Sequence, residues 1–324
     1  ALIVSFLVIT QLPLGKTEAR QLAAIKIPNV PRNWEAVKNL AWNMAEDFDL
    51  TLINGSGFYK GSSKVTMAAF YDDNDIYFKI TWTDPRENRD FRPWAKTNDG
   101  WERLVTLVKD ETVFYEDKFS LLFPIKRDKA FEAFGCAVQC HTSPKYIYGY
   151  KAADRLVDCW HWKASRTDPM GYADDEYWLG HDLSKKDVGR FYDPDEGGGY
   201  IKNISADDKT PLYLPAGKDA ELQGAILRSK AAPYTKEAGD RLPEGTWVPG
   251  TVIAPMKGDR GDIKCSSRYR NGQWTLFLRR KLNTGSKYDV AFASGRSHPF
   301  SLAAFDHAGN RHAYNYQVYQ LVLK

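Results

Sequence analysis

The sequence predicts a mainly β fold: an antiparallel β-sandwich carrying one long, loop-rich insertion. Three observations point there. Aromatic residues make up 14% of the 324-residue chain, with 10 Trp and 18 Tyr, a bias that suits strands and flat-ligand pockets better than helical bundles. Short apolar runs bounded by turn residues gather towards both ends of the chain. The stretch between them, about residues 127–264, is rich in Gly, Pro, Asp and Tyr and poor in periodicity. Long irregular segments of that kind inside a compact domain are usually functional or disordered.

In chain order, Ala1 to Leu14 is apolar and nearly uncharged, and polarity returns at Lys16. The run falls short of the about 20 residues a membrane span needs. It reads as the core of a secretory signal with Thr17-Glu18-Ala19 as the cleavage region, leaving 20–324 as a single mature domain. A buried terminal strand or a retained anchor are the other readings. Pro28 and Pro31 punctuate the entry to a helix-like stretch around Trp34 to Met44. Val65 to Tyr71 and Ile76 to Trp82 flank the polar turn Asp72–Asp75 and predict a hairpin. Lys118 to Phe123 is a further strand, stopped by Pro124. Gln273 to Arg280, Tyr288 to Ala293, Ser301 to Phe305 and Tyr316 to Leu323 predict four more, and Asp193 to Gly199 reads as loop.

With 45 basic and 41 acidic residues the net charge is only +4, so no electrostatic footprint for nucleic acid appears. The acidic patches Asp72–Asp75 and Asp193–Glu196 read as solvated turns or as a face for a basic partner. No dinucleotide fingerprint, P-loop or nucleophile elbow occurs, so an independent hydrolase or dehydrogenase is not expected.

The sharpest chemical signal is Gly135-Cys136-Ala137-Val138-Gln139-Cys140-His141. Covalent haem needs two thiols to add to the vinyl groups and an adjacent His to ligate the iron. Three residues separate these cysteines where two are usual, so the bridge must bulge. A disulfide loop, a zinc site and chance are the other readings; zinc would need two further soft ligands. A second axial ligand would come from His161, His181, His298, His307 or His312, or from Met44, Met67, Met170 or Met256. His307 and His312 share a turn between two C-terminal strands, where β scaffolds present ligands. Cys159 and Cys265 are either one disulfide or two buried thiols.

Four stretches taken in order carry a family likeness: Val65 to Pro85, Glu116 to Pro124, Val157 to Pro169 (VDCWHWKASRTDP) and Trp274 to Leu323. The chain resembles the haem-binding γ subunits of type II dimethyl-sulfoxide-reductase molybdoenzymes. That group includes ethylbenzene and dimethyl sulfide dehydrogenases, chlorate and selenate reductases, and nitrite oxidoreductases. The resemblance implies a β-sandwich holding a haem between its loops. Family members with haem b use a Met and a Lys as ligands; here Cys136, Cys140 and His141 occupy the Met region, and no Lys occurs in Gly309 to Tyr314. It therefore implies one covalent haem c with His141 and His312 as ligands and His307 in reserve. Lys163 and Met170 remain for a second, haem b site.

Trp160, Trp162 and Lys163 are expected to line or back the pocket, with Lys163 and Arg166 as propionate partners; a plain buried strand explains the Trp-His-Trp triplet equally well. The implied role is non-catalytic electron transfer in the periplasm. The partners are a molybdopterin catalytic subunit, an Fe–S subunit and a soluble cytochrome, in an assembly most like nitrite oxidoreductase or nitrate reductase. No membrane span is expected after signal removal. A free monohaem cytochrome and a carbohydrate-binding module are the alternatives.

Overall fold

The computed structural model describes residues 20–28, 30–105, 107–108, 111–112, 114–135, 137, 156–179 and 189–324. Cys136, Cys140, His141, His181 and the opening apolar run lie outside these residues. Twelve strands form one continuous sheet: β1 (Gln21–Lys26), β2 (Phe48–Leu52), β3 (Ser63–Tyr71), β4 (Asp75–Thr83), β5 (Lys118–Pro124), β6 (Leu156–Lys163), β7 (Asp174–Leu179), β8 (Gly189–Tyr192), β9 (Lys264–Arg270), β10 (Gln273–Lys281), β11 (Ser297–Phe305) and β12 (Tyr319–Leu323). Their spatial order is β8-β7-β6-β5-β11-β12-β1-β3-β4-β10-β9, with β2 on the first half of β3.

The two ends of this sheet face each other across the core. Trp82 on β4 meets Phe119 on β5 and Trp162 on β6, with ring centroids 4.9 and 5.5 Å apart. Phe78 on β4 meets Trp160 on β6 at 5.7 Å. Aromatic payload of this size, tilted and edge-on, is what fills the gap between two packed layers. The fold is thus the expected mainly β sandwich. One departure is β1, which runs parallel to both β12 and β3; its residues cover the corner between the layers, and no short-range pattern encodes that pairing.

The hairpin β3–β4 forms in the register Phe70 with Tyr77. Asp72 closes its turn: Oδ1 accepts from the Asn74 and Asp75 amides, both at 2.8 Å, and Oδ2 accepts from the Tyr77 hydroxyl at 2.9 Å. The side chain satisfies backbone donors that the turn would orphan. Asp72 and Asp75 are buried at the base of this turn and Asp193 at the start of the second acidic stretch, while Asp73, Asp195 and Glu196 are exposed, as expected of solvated turns. Trp34–Lys38 is the short helix α1, capped by Asn33, and Trp42–Met44 a 3₁₀ turn.

Tyr288 to Ala293, expected to be a strand, is loop. Its backbone is claimed by side chains: the Val290 amide donates to Asp158 Oδ2 at 2.9 Å, and Arg280 Nη2 donates to the Val290 carbonyl at 2.7 Å. Val290 and Phe292 still reach the core, which explains the strand-like alternation. Arg280, fully buried, also contacts Asp158 at 2.7 Å, Asp289 at 3.5 Å and Asp175 at 3.7 Å, and lies 4.5 Å over the Trp160 ring.

Residues 127–264, expected to be irregular, supply β6, β7 and β8 to the main sheet. Beyond β8 the chain builds smaller sheets that, joined by Trp94–Thr97 and Gly100–Arg103 from before it, surround a second core of Trp94, Leu214, Ile226, Val248 and Val252. Gly198 joins the two regions at φ +85°, and a Cβ there would sit 1.8 Å from the Pro255 carbonyl oxygen. Gly198→Ala is expected to cost about 2 kcal/mol or more, read as an earlier urea midpoint at unchanged m-value.

Candidate functional site

Alternation along β6 separates two faces. Trp160 and Trp162 point into the main core, while Cys159, His161 and Lys163 point outward. The register carries this outer face across the layer: His161 pairs with Ser120 and Ser120 with Ala303, and Lys163 pairs with Lys118 and Lys118 with Phe305. All of these outward residues are buried. Helix α2 (Lys129–Phe134) covers part of the face, with Phe131 packed on Leu122, Val157, Cys159 and Trp178. Asp128 starts the helix by accepting from the Ala130 and Phe131 amides at 2.9 and 3.1 Å. It ends at Gly135, where a Cβ would lie 2.3 Å from Ser301 Oγ. Gly135, the residue before Cys136 in sequence, therefore lies directly against this face.

A layered charge network lies there. Lys163 Nζ bonds Asp174, reaches Glu176 Oε1 at 2.7 Å and donates to the Tyr200 hydroxyl at 3.0 Å. Arg260 Nε reaches the other Asp174 oxygen at 2.8 Å. Glu116 accepts from the Ser165 amide at 2.6 Å, the Ser165 hydroxyl at 2.7 Å, the Arg166 amide at 2.9 Å and the Arg166 guanidinium. Burial opposes ionisation of Glu116, but Arg166 and these donors hold its carboxyl below the usual range. Arg166 also stacks 4.1 Å over Phe91. Lys163 and Arg166, expected to serve propionates, thus already have carboxylate partners. Trp160 and Trp162 back the face from within the core.

His161 stands out. It is 2% exposed, its Nδ1 lies 3.0 Å from Glu176 Oε2, and its Nε2 has no hydrogen-bond partner among the described residues. Arg190 approaches the same Nδ1 at 3.1 Å and Glu176 at 3.4 Å. Glu176 is wholly buried whereas the Arg190 side chain is 41% exposed, so the carboxylate, which has no water to turn to, accepts the hydrogen bond from Nδ1–H. Burial and then Lys163 push the His161 pKa well down. The ring is accordingly neutral, with its Nε2 lone pair free. A buried imidazole held through Nδ1 by a carboxylate is the arrangement of a metal-ligating His.

His312 lies beyond Phe305, with ring centroids 4.4 Å apart, and His161 is 5.7 Å from the same Phe305 ring. Lys118 Nζ donates to the Gly309 carbonyl at 3.2 Å and lies 4.1 Å over Phe305. Burial, then Arg166, lowers its pKa well below that of a free lysine. The face therefore offers nitrogen donors beside an aromatic wall, a set that suits haem iron. His307 is instead bound through Nδ1 to Asp306 at 2.6 Å, and His298 bonds the Ala293 loop at the far end of β11. Met44 is exposed and Met67 lies in the core. Cys159 and Cys265 are free buried thiols, not a disulfide, and burial raises both pKa values; such thiols are inert.

Sequence reading missed Glu116, Lys118, Glu176 and Arg190. The signal for Glu176 was the acidic run Asp174 to Glu176 inside an otherwise strand-like segment. Of the ten tryptophans, all among the described residues, only Trp247 is exposed, at 46%. No helix among the described residues is long and apolar enough to cross a membrane.

Fold and face together define a β-sandwich with a buried, nitrogen-lined outer layer. The chain belongs to the ethylbenzene dehydrogenase family, whose model matches residues 39–317. This is the family of molybdoenzyme γ subunits to which the four sequence stretches pointed, and its relatives in such complexes bind haem. No curated protein matches. Among solved structures the chain is similar to a family 9 carbohydrate-binding module from Caldicellulosiruptor kristjanssonii in complex with glucose, at 8% identity and TM-score 0.37, covering 94% of this chain and 96% of that one. A Bacteroides uniformis protein described as carbohydrate-binding shares 10% identity at TM-score 0.41, covering 94% and 100%.

Proposed function

We propose that this chain is the electron-transfer haem subunit of an exported molybdoenzyme complex. Family membership supports the subunit class. The observation that carries the haem reading is the buried His161 Nε2, unpartnered among the described residues, on the face against which Gly135, just before Cys136 in sequence, packs. Cys136 and Cys140 would attach the porphyrin and His141 would be the proximal ligand. When bound, the haem supplies reversible one-electron transfer.

His161 would be the distal ligand, oriented by Glu176. His312, the ligand implied by the family resemblance, stands on the same face beyond Phe305. Ligation of the haem by two imidazoles of this chain would suit relay over catalysis. The chain's own residues hold the imidazole in one tautomer, keep water off through Phe305 and α2, and balance the charge of Glu176 with Lys163 and Arg190. Electrons would pass between the Fe–S subunit of a molybdopterin partner and a cytochrome, in an assembly of the nitrite oxidoreductase or nitrate reductase kind. The periplasm fits the opening signal-like run.

The test is production with a c-type maturation system, followed by a haem-stained denaturing gel and a pyridine haemochrome spectrum. Haem that stays on the denatured wild-type chain, and is lost in the Cys136→Ala/Cys140→Ala variant, is the expected result. His161→Ala is expected to turn a low-spin spectrum high-spin while covalent haem remains. The same change in His312→Ala alone would assign the ligand to His312. A folded chain without haem would overturn the reading.

A further inference from the structure

A second buried acidic cluster lies at the rim where the two layers meet. Asp84 follows β4, Asp117 precedes β5 and Asp306 follows β11, so three strand ends from both layers converge. One carboxylate oxygen from each lies within 4.8 Å of the others, and the residues are 1%, 0% and 1% exposed. Asp117 is well supplied with donors: the His307 amide at 3.0 Å, the Asn88 amide at 2.7 Å and Trp274 Nε1 at 3.1 Å. Asp84 Oδ1 accepts from the Arg86 amide at 3.1 Å. Oδ2 of Asp84 and Oδ2 of Asp306 have no hydrogen-bond partner among the described residues.

The charge there is uncompensated. Among the described residues no Lys or Arg forms an ion pair with any of the three; the one partner is His307, at 2.6 Å from Asp306 Oδ1. Arg280 supplies the contrast, because its guanidinium sits among Asp158, Asp175 and Asp289 and contributes the cation itself. Burial and neighbouring carboxylates push Asp84 up to about 9; burial pushes Asp117 up to about 8, with Asp306 adding to it. Buried carboxylates without a partner are expensive, and the two ways out are shared protons or a bound cation. Gly57 packs on Asp306, where a Cβ would lie 2.7 Å from the carboxyl carbon, so the site is sealed from that side.

We propose that Asp84, Asp117 and Asp306 form a binding site for a hard divalent cation of the calcium class, which clamps the rim between the two layers. An all-oxygen donor set excludes soft metals. Near-complete burial leaves little room for the waters magnesium retains, whereas calcium accepts irregular protein oxygens. The site is independent of the haem reading.

The experiment uses the full chain, stripped with chelator and compared with and without excess calcium chloride. Calcium at about 100 times its dissociation constant is expected to raise Tm by about 5 °C, with about one calcium retained per chain by elemental analysis. Terbium should luminesce through Trp274, whose Nε1 bonds Asp117, and calcium should quench that emission by displacement. Asp306→Asn is expected to abolish both responses; Asp84→Asn serves in its place if that variant does not fold. A wild-type Tm indifferent to calcium and chelator, with no terbium emission, would assign the cluster to shared protons and overturn the proposal. Full responses retained in both Asn variants would overturn it equally.

Discussion

Arg280→Leu is expected to destabilise the fold by about 3–5 kcal/mol, because it removes the cation from a buried group of carboxylates. Arg280 is 1% exposed and Asp158 and Asp175 are wholly buried, so water cannot replace the guanidinium. The loss has a pH signature. Burial raises Asp158 to about 6 and, with Asp289 nearby, Asp193 to about 8. Groups whose folded pKa lies above the unfolded value bind more protons in the native state, so stability falls as pH rises from the ordinary carboxylate range through those folded values. Without Arg280 the carboxylates repel without compensation, and the fall steepens. Urea unfolding near pH 5 and near pH 8 should show a larger difference between variant and wild type at the higher pH. Equal differences at both would mean that Arg280 contributes packing over Trp160 and not charge balance.

The same cluster explains where sequence reading succeeded and where it stopped. Gln273 to Arg280 reads as a strand because its alternation is local, and it forms β10. Tyr288 to Ala293 shows similar alternation yet makes no ladder: the Val290 amide and carbonyl go to Asp158 and Arg280, 132 and 10 residues away, and the Phe292 amide goes to the Leu282 carbonyl at 2.8 Å. Period-two patterning reports which side chains are buried, not which groups satisfy the backbone. Likewise β1 pairs in parallel with strands separated from it by dozens or hundreds of residues, a partnership that no local pattern carries.

The candidate site was legible in part for the same reason. Cys136, Cys140 and His141 are a local spacing that the sequence shows by itself, and they lie outside the described residues. His161 was one candidate among several, and nothing local sets it apart. Its distinction is Glu176, placed beside it by the β6–β7 register in which Cys159 faces Glu176 and His161 faces Asp174. Trp160 and Trp162 flank His161 in sequence but fall on the opposite face, so they back the outer layer from within the core and do not line it.

Lys163→Met joins the stability of this face to its chemistry. Asp174 retains Arg260 at 2.8 Å, but Glu176, wholly buried, keeps only the half-exposed Arg190 at 3.4 Å and His161. Leaving Glu176 without its 2.7 Å ammonium partner should cost about 3–5 kcal/mol. The more telling consequence falls on His161. Burial is the first cause that keeps its pKa low and the Lys163 charge is the second; with that charge gone, Glu176 favours the imidazolium. A protonated ring has no lone pair at Nε2, so the variant should lose distal ligation at a higher pH than wild type. Spectra taken across a pH series would show the low-spin to high-spin change displaced upward. The double variant Lys163→Met/Glu176→Gln separates the two effects: removing both charges should recover most of the stability, since the unpaired carboxylate is gone, while the imidazole loses its carboxylate anchor. Stability that fails to recover would place the cost of Lys163→Met in Asp174 and Tyr200, not in Glu176.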